Sequence, residues 1–157
     1  MPRRLSVLLA ALLASATACA SGGGPEVRFT VGDATATARP AQYCDDAFTD
    51  CRADQSAPVE LPVPSGATIR IEVGAEIARS PWQVVFAYRD GAGEQLSDRT
   101  RVFPPGEVTE HLLELPAQAR LITAQVQQYG PPPEADPGTG EILFPIRGSW
   151  VLVPGGA

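Results

Sequence analysis

From residue 26 onward the chain is built on alternation. Val27, Phe29 and Val31 are separated by Arg28 and Thr30, the period of two that sends one face of a strand inward and the other to solvent. Gly32-Asp33 follows, and Thr35 and Thr37 alternate on the way back, which predicts a hairpin. Val59–Val63 reads as a short strand interrupted by Pro62, placed at a sheet edge because proline cannot donate to a ladder. Pro64-Ser65-Gly66 turns the chain into Ile69, Ile71 and Val73, a half-buried strand. Trp82, Val84, Phe86 and Tyr88 share one face, and Val85 and Ala87 make the other face apolar too. That pattern predicts a central strand covered on both sides. Asp90–Gly93 is a turn, Arg99–Phe103 the expected return strand, and Pro104-Pro105-Gly106 its end.

Glu110–Leu115 is a further strand, closed by Pro116. In Leu121–Tyr129, Ile122, Ala124 and Val126 alternate with Thr123, Gln125 and Gln127, which favours strand over helix. Gly130–Gly140 contains three consecutive prolines and is expected as a loop. Ile142–Val153 is the last strand region, with Pro145 and Gly148 marking an edge or bulge. No segment carries a convincing helical pattern. Many short strands separated by turns predict an all-β fold, an immunoglobulin-like antiparallel β-sandwich.

The N-terminus follows another pattern. In MPRRLSVLLAALLASATAC, Arg3 and Arg4 precede an uncharged apolar stretch, Leu5–Ala18. It is shorter than the ~20 residues a membrane-spanning helix needs, and its length and flanks are those of a secretory signal peptide. Pro2-Arg3-Arg4-Leu5-Ser6 departs from the twin-arginine pattern, so general secretion is preferred. Ala16-Thr17-Ala18-Cys19 resembles a bacterial lipobox, although Ala16 stands where a larger aliphatic residue is usual. On that reading Cys19 is diacylated and becomes the first residue of the mature chain, because one acyl chain alone holds only marginally. The alternative is an ordinary cleavage site beside a chance cysteine. The expected organisation is residues 1–18 signal peptide, 19–25 lipidated cysteine and flexible Gly/Ser tether, and 26–157 one domain.

Composition narrows the functional classes. All 12 basic residues are arginine, against 18 acidic residues. Without Arg3 and Arg4 ten arginines remain, a net charge of −8. Such a chain has no overall electrostatic footprint for nucleic acid, and lipid rather than charge must hold it at a membrane. The expected location is therefore the outer face of the cytoplasmic membrane. Of the three cysteines, assigning Cys19 to the signal leaves Cys44 and Cys51, which export would place in an oxidising compartment and which we pair with each other. A metal site is the rival reading, opposed by the lack of a second thiol pair and by a single histidine, His111.

Candidate chemistry is sparse. His111 lies on a strand beside two leucines, and no Gly-x-Ser-x-Gly or His-Glu-x-x-His pattern occurs. No catalytic residue is assigned, no cofactor is implied, and the chain is expected not to be an enzyme. Asp45, Asp46, Asp50 and Asp54 surround the cysteine pair, but they lack the calcium-loop spacing and read as a solvated acidic loop. Trp82, Phe86, Tyr88 and Trp150 are assigned to the core. Tyr43 and Phe48 carry aromatic surface beside those charges. Tyr43, Asp45, Asp46, Phe48 and Asp50 therefore form the candidate partner-binding loop. The competing reading has Phe48 packing back under its own loop.

Several stretches together resemble the DUF2771 family of uncharacterised actinobacterial lipoproteins: the Cys44…Cys51 pair after Tyr43, LPVPSGATIRIEV at 61–73, PWQVVFAYRD at 81–90, VFPPGE at 102–107, LITAQVQQYG at 121–130 and FPIRGSWVL at 144–152. The resemblance implies a lipid-anchored extracytoplasmic domain bearing palmitate or a similar acyl group and a diacylglycerol. It transfers no activity. The expected role is a binding module for an envelope protein, lipid or glycan, with a passive structural envelope lipoprotein as the alternative and an enzyme of unassigned type as the third reading.

Overall fold

The computed structural model describes residues 24–131, 134–135, 137–140 and 142–156. The segment expected as a signal peptide, residues 1–18, and Cys19 lie outside the described residues. The elements are β1 (Val27–Val31), β2 (Ala34–Ala38), β3 (Gln42–Cys44), β4 (Cys51–Ala53), β5 (Val59–Leu61), β6 (Thr68–Val73), α1 (Ala75–Ala78), β7 (Trp82–Arg89), β8 (Gln95–Arg99), β9 (Glu110–Glu114), β10 (Arg120–Tyr129), β11 (Glu134–Ala135), β12 (Ile142–Leu143) and β13 (Ile146–Pro154). The fold is all-β, as the alternation predicts, with two main sheets. One has the order β2-β1-β6-β9. The other has the order β4-β3-β13-β10-β7-β8, with β5 added beside β13. All of these pairings are antiparallel except β5–β13, which is parallel.

The alternating residues identify the core. Val27, Phe29, Ile69 and Ile71 from the first sheet and Trp82, Val84, Val126, Trp150 and Leu152 from the second belong to one buried cluster. The intervening positions Arg28, Arg70 and Gln125 fall on the outward faces, partly or fully in water. Each large side chain moved from water to this core stabilises by about 1.5–3 kcal/mol, and the second sheet supplies both tryptophans.

Four features depart from the pattern. The return strand after the Asp90 turn is Gln95–Arg99, not Arg99–Phe103. The Asp90 carboxylate accepts the Ala92 and Glu94 N–H groups at 2.9 Å each, so pairing resumes at once, with Arg89 opposite Gln95. Thr100 then ends the ladder, because its hydroxyl rather than a carbonyl accepts the Val84 N–H at 3.0 Å. Phe103 rejoins only as an isolated bridge to Trp82. The second departure is β7 itself. Its inward face is buried, but Val85 and Ala87 on the outward face are only half-buried and line an open groove of about 420 Å³. The strand is central yet covered on one side. Third, one helical turn, α1, stands where no helix was expected. It follows Gly74 and has no side-chain N-cap, too short to leave a periodic signal. Fourth, Gly130–Gly140 is not wholly loop: β11 pairs with β12 in a small hairpin, and β13 begins only at Ile146. No helix among the described residues is long and apolar enough to cross a membrane.

Candidate functional site

A transverse line of residues crosses the second sheet at one end. Trp82, Gln128, Gly148 and Tyr43 stand opposite one another on β7, β10, β13 and β3. The helical turn α1 packs over this line. The Gln128 amide, fully buried, donates to the Glu76 and Ile77 carbonyls at 3.0 and 3.2 Å. Those two bonds fix the amide's orientation and leave its Oε1 buried without a partner, a cost the surrounding packing must offset. The Tyr43 hydroxyl donates to Glu76 Oε1 at 2.9 Å. Burial, then that bond to a carboxylate, raises the pKa of Tyr43.

Gly148 makes the line possible. A Cβ there would sit 2.7 Å from Trp150 Cη2 and 2.9 Å from Tyr43 Cδ2, closer than side chains tolerate. The absent side chain lets Tyr43 meet Trp150 edge-to-face, with centroids 6.2 Å apart. Pairing shifts here: Ile146 lies opposite Tyr129 and Gly148 opposite Gln128, so Arg147 is the extra residue of a bulge. The bulge leaves Arg147 only 8% exposed, with its guanidinium carbon 5.2 Å from the Tyr43 ring centroid. Its Nε donates to the Cys44 carbonyl at 3.2 Å, and its Nη1 meets Asp46 Oδ1 at 2.6 Å.

The cysteines are joined, Cys44 to Cys51, directly opposite each other on β3 and β4. The loop they clip is held from within. Asp45 Oδ1 accepts the Thr49 and Asp50 N–H groups at 2.7 and 3.2 Å, and Oδ2 accepts the Thr49 hydroxyl at 2.6 Å. The Thr49 hydroxyl, followed by the backbone N–H of Asp50, lowers the Asp45 pKa. Phe48 adopts a left-handed backbone (φ 55) and lays its ring on Gly130, where no Cβ could be accommodated. Asp50 pairs with Arg52 at 2.9 Å, and both stay exposed. The structure thus brings the candidate loop residues together but turns Tyr43, Asp45 and Phe48 inward. The competing reading of Phe48 comes closest, except that the ring rests on the neighbouring Gly130. Among the described residues no group of three or more His, Cys, Asp or Glu could hold a metal ion.

Sequence reasoning missed Arg147, Glu76 and Gln128 as members of this cluster. Gly148, read from the sequence as an edge or bulge mark, is the local signal that could have flagged Arg147, and nothing local marks Glu76 or Gln128. The described residues also begin here. Trp150 Nε1 donates to the Pro25 carbonyl at 2.6 Å, and Gly24 lies against Pro40 and Tyr43.

His111 lies elsewhere. It stands opposite Ile71 at the margin between the sheets, with its ring 5.0 Å from that of Phe103. Burial, and secondarily the charge of Arg101, lowers its pKa below 6.5. The unfolded state therefore binds more protons below about pH 6.5, so stability falls as pH drops through that value and levels off below the folded-state pKa. Urea titrations at pH 8 and pH 5 should show this loss, and His111→Gln should remove its share; an unchanged slope would assign the acid sensitivity to other groups.

With this geometry in place, the sequence comparison is decisive on one point. The family described as a protein of unknown function, DUF2771, matches residues 22–150. The chain belongs to the DUF2771 family. No curated protein and no solved structure matches it. The DUF2771 match spans β1 through the first half of β13, so the clipped loop and the Arg147 bulge lie within the matched residues.

Proposed function

We propose that this DUF2771 protein is a lipid-anchored binding module of an actinobacterial cell envelope, an immunoglobulin-like β-sandwich displayed on the outer face of the cytoplasmic membrane. The observation that carries the reading is the seating of Gly24 and Pro25 against Tyr43, Pro40 and Trp150. It leaves four residues, Ala20–Gly23, between Cys19 and Gly24; the five Cα steps reach at most ~18 Å fully extended and about 12 Å as a flexible coil. The clipped loop, α1 and the Arg147 bulge are then the base of the domain, next to the membrane. The immunoglobulin-like assignment is supported by the order β1-β6-β9 facing β8-β7-β10-β13, with β5 joining β13 in parallel.

The base suits a clamp better than an aromatic docking surface, because the rings of Tyr43 and Phe48 pack on Trp150 and Gly130. What the clipped loop offers a partner is Asp46 and Asp50, the loop carboxylates that remain exposed. That inward packing also favours a second reading, a passive envelope lipoprotein whose clip serves only to stabilise.

The anchor is tested by fractionation. Wild type is expected in the membrane pellet and labelled by palmitate, and Cys19→Ala in neither. Equal recovery of both chains in the soluble fraction would dismiss the anchor.

A further inference from the structure

The arginines are unevenly neutralised. Arg39, Arg52, Arg70, Arg79 and Arg147 lie 2.6–3.8 Å from a carboxylate. Arg28 stands directly across from Glu72, and Arg101 lies over the Phe103 ring. Arg89, Arg99 and Arg120 have no carboxylate at ion-pair distance among the described residues. All three are exposed, and the register puts them on the outward face of β8, β7 and β10. Arg89 lies directly opposite Arg120, while Arg99 lies opposite Val85. Between them runs the uncharged line Ser97, Ala87 and Thr123. A chain with a net charge of −6 thus carries three arginines on the β8–β7–β10 part of one sheet face, with Asp98 beside Arg99 in the groove and Glu60 beyond β13 as the acidic groups of that sheet.

Like charges placed directly across a strand pair repel and destabilise the ladder. Arg89 and Arg120 do so where they line a cleft of about 570 Å³, together with Ser65, Gly91, Gly93 and Gln118. Gln118 is held at φ 64, a region L residues rarely occupy, with its side chain pressed on Gly91. Asp90 also lines the cleft, but its Oδ1 is turned into its own loop, onto the Ala92 and Glu94 N–H groups. The Arg89 guanidinium donates a long bond, 3.4 Å, to the Gly93 carbonyl.

We propose that this cleft binds a phosphate-type oxyanion bridged by Arg89 and Arg120, with Arg99 a further contact for an extended polyanion. Two forked guanidiniums match the oxygens of a phosphate, and the bound charge relieves the repulsion that the empty pair carries. Arg99 stands roughly 13 Å along β7 at ~3.3 Å per residue, too far for a single phosphate and within reach of a chain of them. The source follows from position and rests on the anchor proposed above. The cleft lies at the Arg89 end of β7, about 23 Å from the Trp82 end by the same rise, and the tether leaves at the Trp82 end. The oxyanion is therefore carried by a soluble or wall-borne molecule, not by the lipid surface that holds the anchor.

The test uses the full chain in neutral detergent micelles, titrated with orthophosphate and with linear polyphosphate while the arginine Nε–Hε resonances are followed. Saturable shifts at Arg89 and Arg120 are expected, weakened at least tenfold in Arg89→Gln and in Arg120→Gln and weakened by added salt. Arg99→Gln is expected to weaken polyphosphate binding alone. Without anion both cleft variants should melt at or above the wild-type temperature, and phosphate should raise Tm in wild type only. Equal phosphate responses in wild type and the Arg89 and Arg120 variants would overturn the site. Polyphosphate binding indifferent to Arg99 would overturn the extended ligand. Cys19→Ala chain that pellets with phosphatidylglycerol vesicles, and ceases to with Arg89→Gln, would overturn the assigned source while the site stands. Failure of the anchor itself shows separately, in the fractionation of Cys19→Ala.

Discussion

Trp150→Ala is expected to destabilise the domain by about 3–5 kcal/mol, the range for deleting a large buried aromatic. The indole is fully buried in the cluster shared by both sheets. It fills the space that Gly148 leaves open and receives the edge of Tyr43. No neighbour can collapse into the void, because β13 is held on one side by β10 and on the other by β3 and β5. The substitution also strands the Pro25 carbonyl, the acceptor of the indole N–H. Urea unfolding followed by far-UV circular dichroism measures the loss. Trp150→Phe keeps most of the apolar contact and loses the donor, so it should fall between the two, and early proteolysis near Gly24–Glu26 should accompany both variants. A loss under about 1 kcal/mol for Trp150→Ala, within the range of ordinary surface changes and single hydrogen bonds, would show that neither the packing line nor the seating of Gly24 and Pro25 depends on this residue.

The alternation at Ile69, Ile71 and Val73 was sufficient to place β6, because one buried face forces a period of two and a slip of one residue would invert it. The same logic failed at β7. Val85 and Ala87 are apolar, but small apolar residues also line open grooves, and only the absence of a third layer over them distinguishes the cases. The misplaced return strand has a local cause: the Thr100 hydroxyl imitates a carbonyl toward Val84, and no periodicity records that. The clipped pair could be read from parity and compartment, and it is present. The partner that fastens the clip to the sheet could not. Arg147 meets Cys44 across a sequence separation of 103, so the contact exists only once β13 has paired with β3. The aromatic loop residues looked available for the same reason, since the surfaces that absorb them, Gly130 just after β10 and Trp150 on β13, are distant in sequence. The basic face was hidden by composition. A net negative chain discourages a search for anion sites, and only strand register reveals that its uncompensated arginines share one face.

Removal of the clip is the second large effect. Cys44→Ala/Cys51→Ala, or reduction of the wild type, should cost about 2.5 kcal/mol on the chain-entropy scale for a loop this short. The residues are separated by 7 in sequence. Part of the native hairpin should survive, because Asp45 ties the loop independently to Thr49 and Asp50. That support is itself acid-labile: the lowered pKa of Asp45 means its contribution is present above the ordinary carboxylate value of 3.8 and is lost as pH falls through the folded-state pKa. The clip-free protein should therefore be more acid-sensitive than the parent, with both urea midpoints measured between pH 7 and pH 3. Reduction that leaves the wild-type midpoint unchanged would assign the stability of β3 and β4 to the Asp45 network and to Arg147. The same variant separates base from cleft. Sites more than ~7–10 Å apart without shared partners behave additively, so loss of the clip should loosen Phe48 from Gly130 and leave phosphate binding at Arg89 and Arg120 intact. Weakened phosphate binding in the clip-free chain would instead mean that the two ends of the sheet are coupled, and that the base does more than seat Gly24 and Pro25.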